Sequence, residues 1–284
     1  MRLTVMGPGY CGAAVARAAA ATGLAVVAVS RLPERLALPA EIETVPFDRA
    51  EKAIAEATHL LSTAPPGPTG DPVLARYAEA IAAAPRLGWI GYISSTSVYG
   101  DHAGAMVDEQ TPPRPTSERG AARLAAERAW MAAAGRRPLD LFRAAGIYGP
   151  GRSAFDQIRA GNARRILSPG HAFCRIHRDD IVRAVLAAMK APGACGRVLN
   201  LADEEPAESA AVLEEAARLL GVPAPPAIPL AEAWPGLSAM AQSFWRERRR
   251  VSSDMTRAML GVEWRYPDFR AGLAAILREE IRKG

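Results

Sequence analysis

Gly7, Gly9 and Gly12 are spaced as a GxGxxG turn, Gly7-Pro8-Gly9-Tyr10-Cys11-Gly12, directly after the apolar run Leu3–Met6. Glycine at the first place permits a tight turn, and at the second it lets the backbone meet a phosphate with no Cβ between them. At the third it allows a helix to pack closely on a strand. The start of that helix offers free N–H groups to an anion. The spacing alone is a weak signal. With the strand before it, the helix Ala13–Ala21 after it and a second strand at Leu24–Val29, it becomes the mark of a dinucleotide site. Tyr10 and Cys11, inside the turn, belong to the same site.

The second strand ends at Ser30 and Arg31, where binders of NAD carry an acid for the ribose hydroxyls. A guanidinium fork and a hydroxyl suit a 2′-phosphate instead, so NADP is expected ahead of NAD, with NAD still possible. Asp48, after the third strand, is placed at the adenine edge. Ser62, Thr63 and Ala64, after the fourth, are counted with the cofactor residues.

These residues need a scaffold, and the rest of the first half supplies its pattern. Short apolar runs at Glu43–Phe47, His59–Leu61, Gly88–Ser94 and Pro138–Phe142 alternate with helical stretches at Arg49–Ala57, Asp71–Ala83 and Gly120–Ala134. Such alternation predicts an α/β fold, a doubly wound parallel sheet of about six strands (a Rossmann fold). Past Pro150 the alternation decays into a smaller C-terminal substrate lobe. The expected division is 1–150 for the dinucleotide-binding domain, rejoined by 177–202, with 151–176 and 203–284 forming the lobe. In that rejoining piece Asp179 or Asp180 is expected to cap a helix, followed by a strand at Val198–Leu201. Pro206 is expected to open a further helix ended by Gly221.

Composition narrows the function classes. The chain has 284 residues, is 49% hydrophobic and carries a formal charge of +5. Its arginines are scattered among thirty acids, and no aromatic platform accompanies them, so nucleic acid is not the expected partner. The dense run Arg246–Arg250 reads as a solvated helix end. The N-terminus has neither a signal peptide's pattern nor a membrane span, and a cytoplasmic location is expected. Cys11, Cys174 and Cys195 stand far apart with no CxxC spacing, which favours packing roles over a disulfide or a metal site.

Together with the glycine turn, the segments Ser94–Gly100, Arg143–Gly151 and Arg175–Ile181 resemble the extended and atypical short-chain dehydrogenases/reductases. That is the NAD(P)-dependent epimerase/dehydratase family, and within it the chain is similar to the YeeZ-like group. The resemblance implies that Ser95 hydrogen-bonds a substrate oxygen. It also implies a Tyr-x-x-x-Lys pair on the next helix, which exchanges the proton and grips the nicotinamide ribose. Here Arg119 and Arg123 occupy those two places. Arg123 can still hold the ribose as a fixed cation. Arg119 cannot act as the acid, because guanidinium keeps its proton near neutral pH. Tyr99 and Tyr148 are alternative acids, although both sit in Tyr-Gly pairs where an aromatic lid is the simpler role. His102, with Asp101, Asp108 and Glu109, lies on a loop that supplies either acid-base groups or a solvated surface. In the second lobe, Tyr148, Arg175, His177 and Arg250 are the candidate substrate residues, the arginines for an anionic group and no metal among them. Arg175 paired to an acid and His177 as a core histidine remain equal alternatives.

Two functions follow. One is an NADP-dependent oxidoreductase or epimerase-like enzyme for a small anionic, sugar-derived substrate, with a non-standard proton-transfer group. The other is a catalytically degenerate NADP-binding sensor or scaffold.

Overall fold

In the computed structural model, which describes residues 1–283, the apolar runs become strands β1 (Arg2–Met6), β2 (Ala25–Ser30), β3 (Glu43–Pro46), β4 (His59–Ser62), β5 (Trp89–Ser95), β6 (Leu139–Ala144) and β7 (Cys195–Leu201). Among the described residues these seven form one sheet in the order β3-β2-β1-β4-β5-β6-β7, every neighbouring pair parallel. The strand order reverses between β1 and β4, which is where a doubly wound sheet opens a crevice beyond its carboxyl ends.

Side chains alternate across the sheet, and each face is covered. Leu3 and Val5 pack with Val15, Ala16 and Ala19 of the helix Tyr10–Ala21 and with Ile181 and Val185 of the helix Arg178–Lys190. On the other face Met6, Val27 and Ile90 meet Tyr77 and Ile81 of the helix Pro72–Ala83 and Trp130 of the helix Glu118–Ala134. The caps explain where these helices begin. Asp71 accepts from the N–H groups of Val73 and Leu74, and Ser117 accepts from that of Gly120. A separate cluster of Phe155, Leu213, Phe269, Leu273 and Ile276 forms the core beneath the C-terminal helices.

Several local expectations are corrected. The first helix starts at Tyr10 rather than Ala13, so the last residues of the glycine turn are already helical. The helix Arg178–Lys190 is capped by His177, whose Nδ1 accepts from the Asp179 N–H at 3.1 Å, and not by an aspartate. Asp180 instead accepts from the N–H groups of Arg265 and Tyr266, at 2.7 and 3.0 Å. The next helix begins at Ser209, three residues past Pro206, and ends at Gly221 in a left-handed conformation. Cys195 is exposed at the start of β7 rather than packed. No described helix is long and apolar enough to cross a membrane.

Candidate active site

A cleft of about 1000 Å³ opens beyond the carboxyl ends of the central strands. Its cofactor side is built on the glycine turn. Gly7 has φ +73°, a left-handed conformation that favours glycine, and a Cβ there would crowd Ala64 at 3.2 Å. A Cβ on Gly12 would stand 2.7 Å from Thr63 Oγ1 and 3.2 Å from Val5, so the close approach of helix to sheet requires its absence. Gly9 differs: it lines the cleft, and its Cβ would meet nothing nearer than the Gly7 carbonyl oxygen at 3.9 Å. The cradle therefore fits a dinucleotide's pyrophosphate, with Gly9 as the bare backbone facing it.

That fit separates binding from stability. Gly9→Ala is expected to leave the melting temperature nearly unchanged and to weaken NADPH and NADH alike by about tenfold or more, some 1.4 kcal/mol. A fluorescence titration alongside a thermal melt checks both halves.

Tyr10 pins the turn to the opposite wall. Its hydroxyl donates to the Pro150 carbonyl at 3.1 Å, and Arg152 and Arg178 lie over its ring at 5.7 and 5.2 Å. Burial pushes its phenol up to about 12, so it stays neutral. Cys11 lines the cleft but is raised by burial to about 11, which leaves it an inert thiol.

The end of β5 brings Ser94, Ser95 and Thr96 to the cleft. Ser95 Oγ accepts from the Ser97 N–H at 3.2 Å, which leaves its own proton free to donate into the cleft. Behind it, Ser94 Oγ donates to Glu127 Oε1 at 2.5 Å. Glu127 also receives Nε and Nη2 of Arg143 at 3.1 and 2.8 Å. This pair is buried, with Glu127 1% and Arg143 4% exposed.

Five arginines line the cleft: Arg119, Arg123, Arg152, Arg175 and Arg249. Arg123 is held at the end of β5, donating to Tyr92 Oη at 3.1 Å and to the Ile93 carbonyl at 2.9 Å. Arg119 lies over the Phe244 ring at 4.3 Å, and Arg175 donates to the carbonyls of Phe173 and Ala207 at 2.9 and 2.8 Å. Arg249 pairs with Glu247 at 2.7 Å and donates to the Gly100 carbonyl at 2.7 Å. Among the described residues the other four have no carboxylate partner. Of the three acids in the lining, Asp156 is taken by the Ser153 N–H and hydroxyl, Glu247 by Arg249 and Thr116, and Glu118 is exposed at the start of its helix. The cleft thus keeps unpaired guanidinium groups, Arg119 and Arg152 exposed to solvent and Arg123 and Arg175 half-buried.

The structure brings Gly9, Tyr10, Cys11, Thr63, Ser95, Arg119, Arg123, Tyr148 and Arg175 into one lining. Gly7, Gly12, Ser62 and Ala64 stand behind it. Ser30, Arg31 and Asp48 lie outside the lining, Ser30 and Arg31 at the end of β2 and Asp48 in the turn after β3; Arg31 and Asp48 are exposed. His177 is not in the lining: it is 1% exposed, packed between Tyr148 and Tyr266, and pushed down by burial to about 4. The core-histidine alternative is the one that geometry matches. Arg250 is likewise outside, exposed on a short strand beside Met106–Val107, while its neighbour Arg249 turns inward. The run Arg246–Arg250 is therefore only partly a solvated helix end. Tyr99 is buried and donates to Asn200 Oδ1 at 2.7 Å, a core role. Tyr148 lines the cleft, but its hydroxyl is engaged by the Asp268 carbonyl at 3.3 Å and burial raises its phenol further. His102 contacts the Tyr99 carbonyl at 3.1 Å and is outside the lining. Arg152, Arg249 and Glu247 are cleft residues that sequence reasoning missed. No described group of three or more His, Cys, Asp or Glu is placed to hold a metal ion.

The family model described as NAD dependent epimerase/dehydratase family matches residues 75–202, the stretch that contains Ser95, Arg119, Arg123 and Arg175. Protein YeeZ of Escherichia coli (strain K12) is 33% identical over 145 residues, 51% of this chain and 50% of YeeZ. Residues 75–202 thus carry the likeness to the NAD dependent epimerase/dehydratase family. The chain's match spans about half the length of the curated relatives. A functionally unknown conserved protein from Silicibacter pomeroyi DSS is similar over 98% of this chain and 99% of that one, at 42% identity and a TM-score of 0.91. MoeE5, solved in complex with UDP-glucose and NAD, covers 100% of this chain and 99% of its own at 23% identity and a TM-score of 0.81, a likeness of fold. The chain has a glycine cradle of the expected form and arginine at both places where the resemblance implies tyrosine and lysine.

Proposed function

We propose that the chain is an NADP-dependent oxidoreductase or epimerase-like enzyme whose substrate is small, anionic and sugar-derived. The observation that carries this reading is the set of four cleft arginines without carboxylate partners, beside a glycine cradle that fits a dinucleotide. Gly7, Gly9, Gly12 and the first turn of the helix Tyr10–Ala21 would hold the pyrophosphate, and Arg123 the nicotinamide ribose. When bound, the nicotinamide supplies hydride chemistry. Ser95 orients a substrate oxygen through its free proton, and Arg119 and Arg175 hold the substrate's phosphate or carboxylate, for which the guanidinium fork is suited. The sugar-derived class rests on the fold's likeness to MoeE5, which is described with UDP-glucose.

Cofactor preference is carried by Arg31 at the end of β2, exposed and without an acid beside it in sequence. A charge-assisted contact to a 2′-phosphate contributes about 1.5–3 kcal/mol. Arg31→Ala is expected to weaken NADPH at least about tenfold and leave NADH nearly unchanged. Equal losses for both in a fluorescence titration would refute the preference for NADP.

Arg119 favours a second reading, a cofactor-binding sensor without turnover, because a guanidinium stands where the family's acid is implied. The two readings separate on whether any anionic carbonyl compound drives oxidation of NADPH.

A further inference from the structure

Asp203 follows β7 and is 2% exposed, yet neither of its carboxyl oxygens has a hydrogen-bond partner among the described residues. Its own N–H donates to the Arg175 carbonyl at 2.6 Å, which sets it against the short strand Arg175–His177. The charged and titratable groups acting on it come from every element around it. Arg175 and Cys174 face it from that strand and the residue before, Tyr148 from the strand Gly146–Tyr148, Asp268 from the approach to the last helix, and Glu205 from its own loop. Arg175 is the sole cation of this set. It spends Nη1 on two backbone carbonyls, forms no ion pair with Asp203 and lines the cleft.

A buried carboxylate with no donor is costly, whereas the neutral acid is not. Burial pushes Asp203 up to about 8, against the opposing pull of Arg175. At neutral pH the guanidinium therefore carries its charge uncompensated.

We infer that Asp203 is a positioning residue that sets the anion affinity of Arg175: protonated, it leaves the guanidinium to a ligand in the cleft, and ionised, it neutralises it. This rests on the reading that Arg175 meets the substrate's anionic group. Linkage fixes the sign. An anion on Arg175 disfavours the Asp203 carboxylate, so binding near pH 8 takes up a proton, and affinity falls as pH rises through the acid's titration. If binding raises the proton affinity by one pH unit, the fall is about tenfold.

The probe is UDP, titrated calorimetrically into the NADPH-saturated protein at pH 7.0 and 9.5. At pH 8 the titration is repeated in two buffers of different ionisation heat. Wild type should bind about tenfold more weakly at the higher pH and take up protons at pH 8. Asp203→Asn should hold its pH 7.0 affinity at pH 9.5 and take up none. If wild type and Asp203→Asn weaken alike, or wild type takes up no proton, the inference is overturned. The proton count on wild type decides the matter even if Asp203→Asn does not fold. Arg175→Gln separates this outcome from its premise: UDP binding unchanged by that variant would overturn the anion-site reading itself.

Discussion

Glu127→Ala is expected to destabilise the protein by about 3–5 kcal/mol, because it strands the Arg143 guanidinium in a site that is 4% exposed. The loss is larger than that of a surface pair because Arg143 makes both of its short contacts, at 3.1 and 2.8 Å, to this one carboxylate. The guanidinium also lies over the Tyr99 ring, 4.9 Å from the centroid, and a neutral phenol cannot replace the carboxylate's charge. Ser94 loses its acceptor at the same time, so the end of β5 loosens where Ser95 is held. Urea unfolding gives the magnitude. The paired replacement Glu127→Leu with Arg143→Met should recover most of the loss, since no charge is then left buried. A single variant as stable as wild type would show that the pair does not organise this strand end.

Ser95→Ala is expected to lower kcat by about 10²–10³, the usual cost of removing one donor aimed at a developing oxyanion. NADPH affinity should change little, because Ser95 takes its hydrogen bond from Ser97 and keeps its proton for the substrate. Arg119→Gln should behave differently. A general acid contributes about 10²–10⁴, but Arg119 lies over Phe244 and cannot release a proton at pH 7. Its loss should appear as a raised KM with kcat nearly retained, the pattern of lost ground-state binding. Steady-state kinetics on both variants checks the contrast. A fall in kcat on Arg119→Gln as deep as that on Ser95→Ala would contradict the holding role.

Local chemistry was legible in the sequence wherever it is carried by chain-neighbouring residues. The turn from Gly7 to Gly12 and the strand end at Ser95 depend on spacing and on short apolar runs, and both lie where those signals place them. Side-chain direction across the lobes is not encoded locally. Arg249 rather than Arg250 enters the cleft because the strand Arg250–Val251 pairs with Met106–Val107, a contact across more than a hundred residues. His177 caps its helix through the ring, a use of histidine that no pattern of Ser, Thr, Asp or Asn announces. Arg152 follows the Gly149-Pro150-Gly151 turn as an ordinary loop residue, and only the approach of Tyr10 from the first helix makes it part of a wall. Asp203 reads as a surface acid within Asp203-Glu204-Glu205. It is nevertheless buried, where its N–H bonds the Arg175 carbonyl and the next N–H, that of Glu204, bonds the Pro267 carbonyl, both from segments distant in sequence.

The most direct measurement is stopped-flow oxidation of NADPH by wild type against matched pairs of carbonyl compounds, keto sugars and keto acids with and without a phosphate or carboxylate. The proposed function predicts oxidation with the anionic member of at least one pair, weaker turnover with its neutral counterpart, and a loss of about 10²-fold or more on Ser95→Ala. No oxidation with any compound, together with tight NADPH binding indifferent to Ser95→Ala, would contradict it and leave the sensor reading in its place.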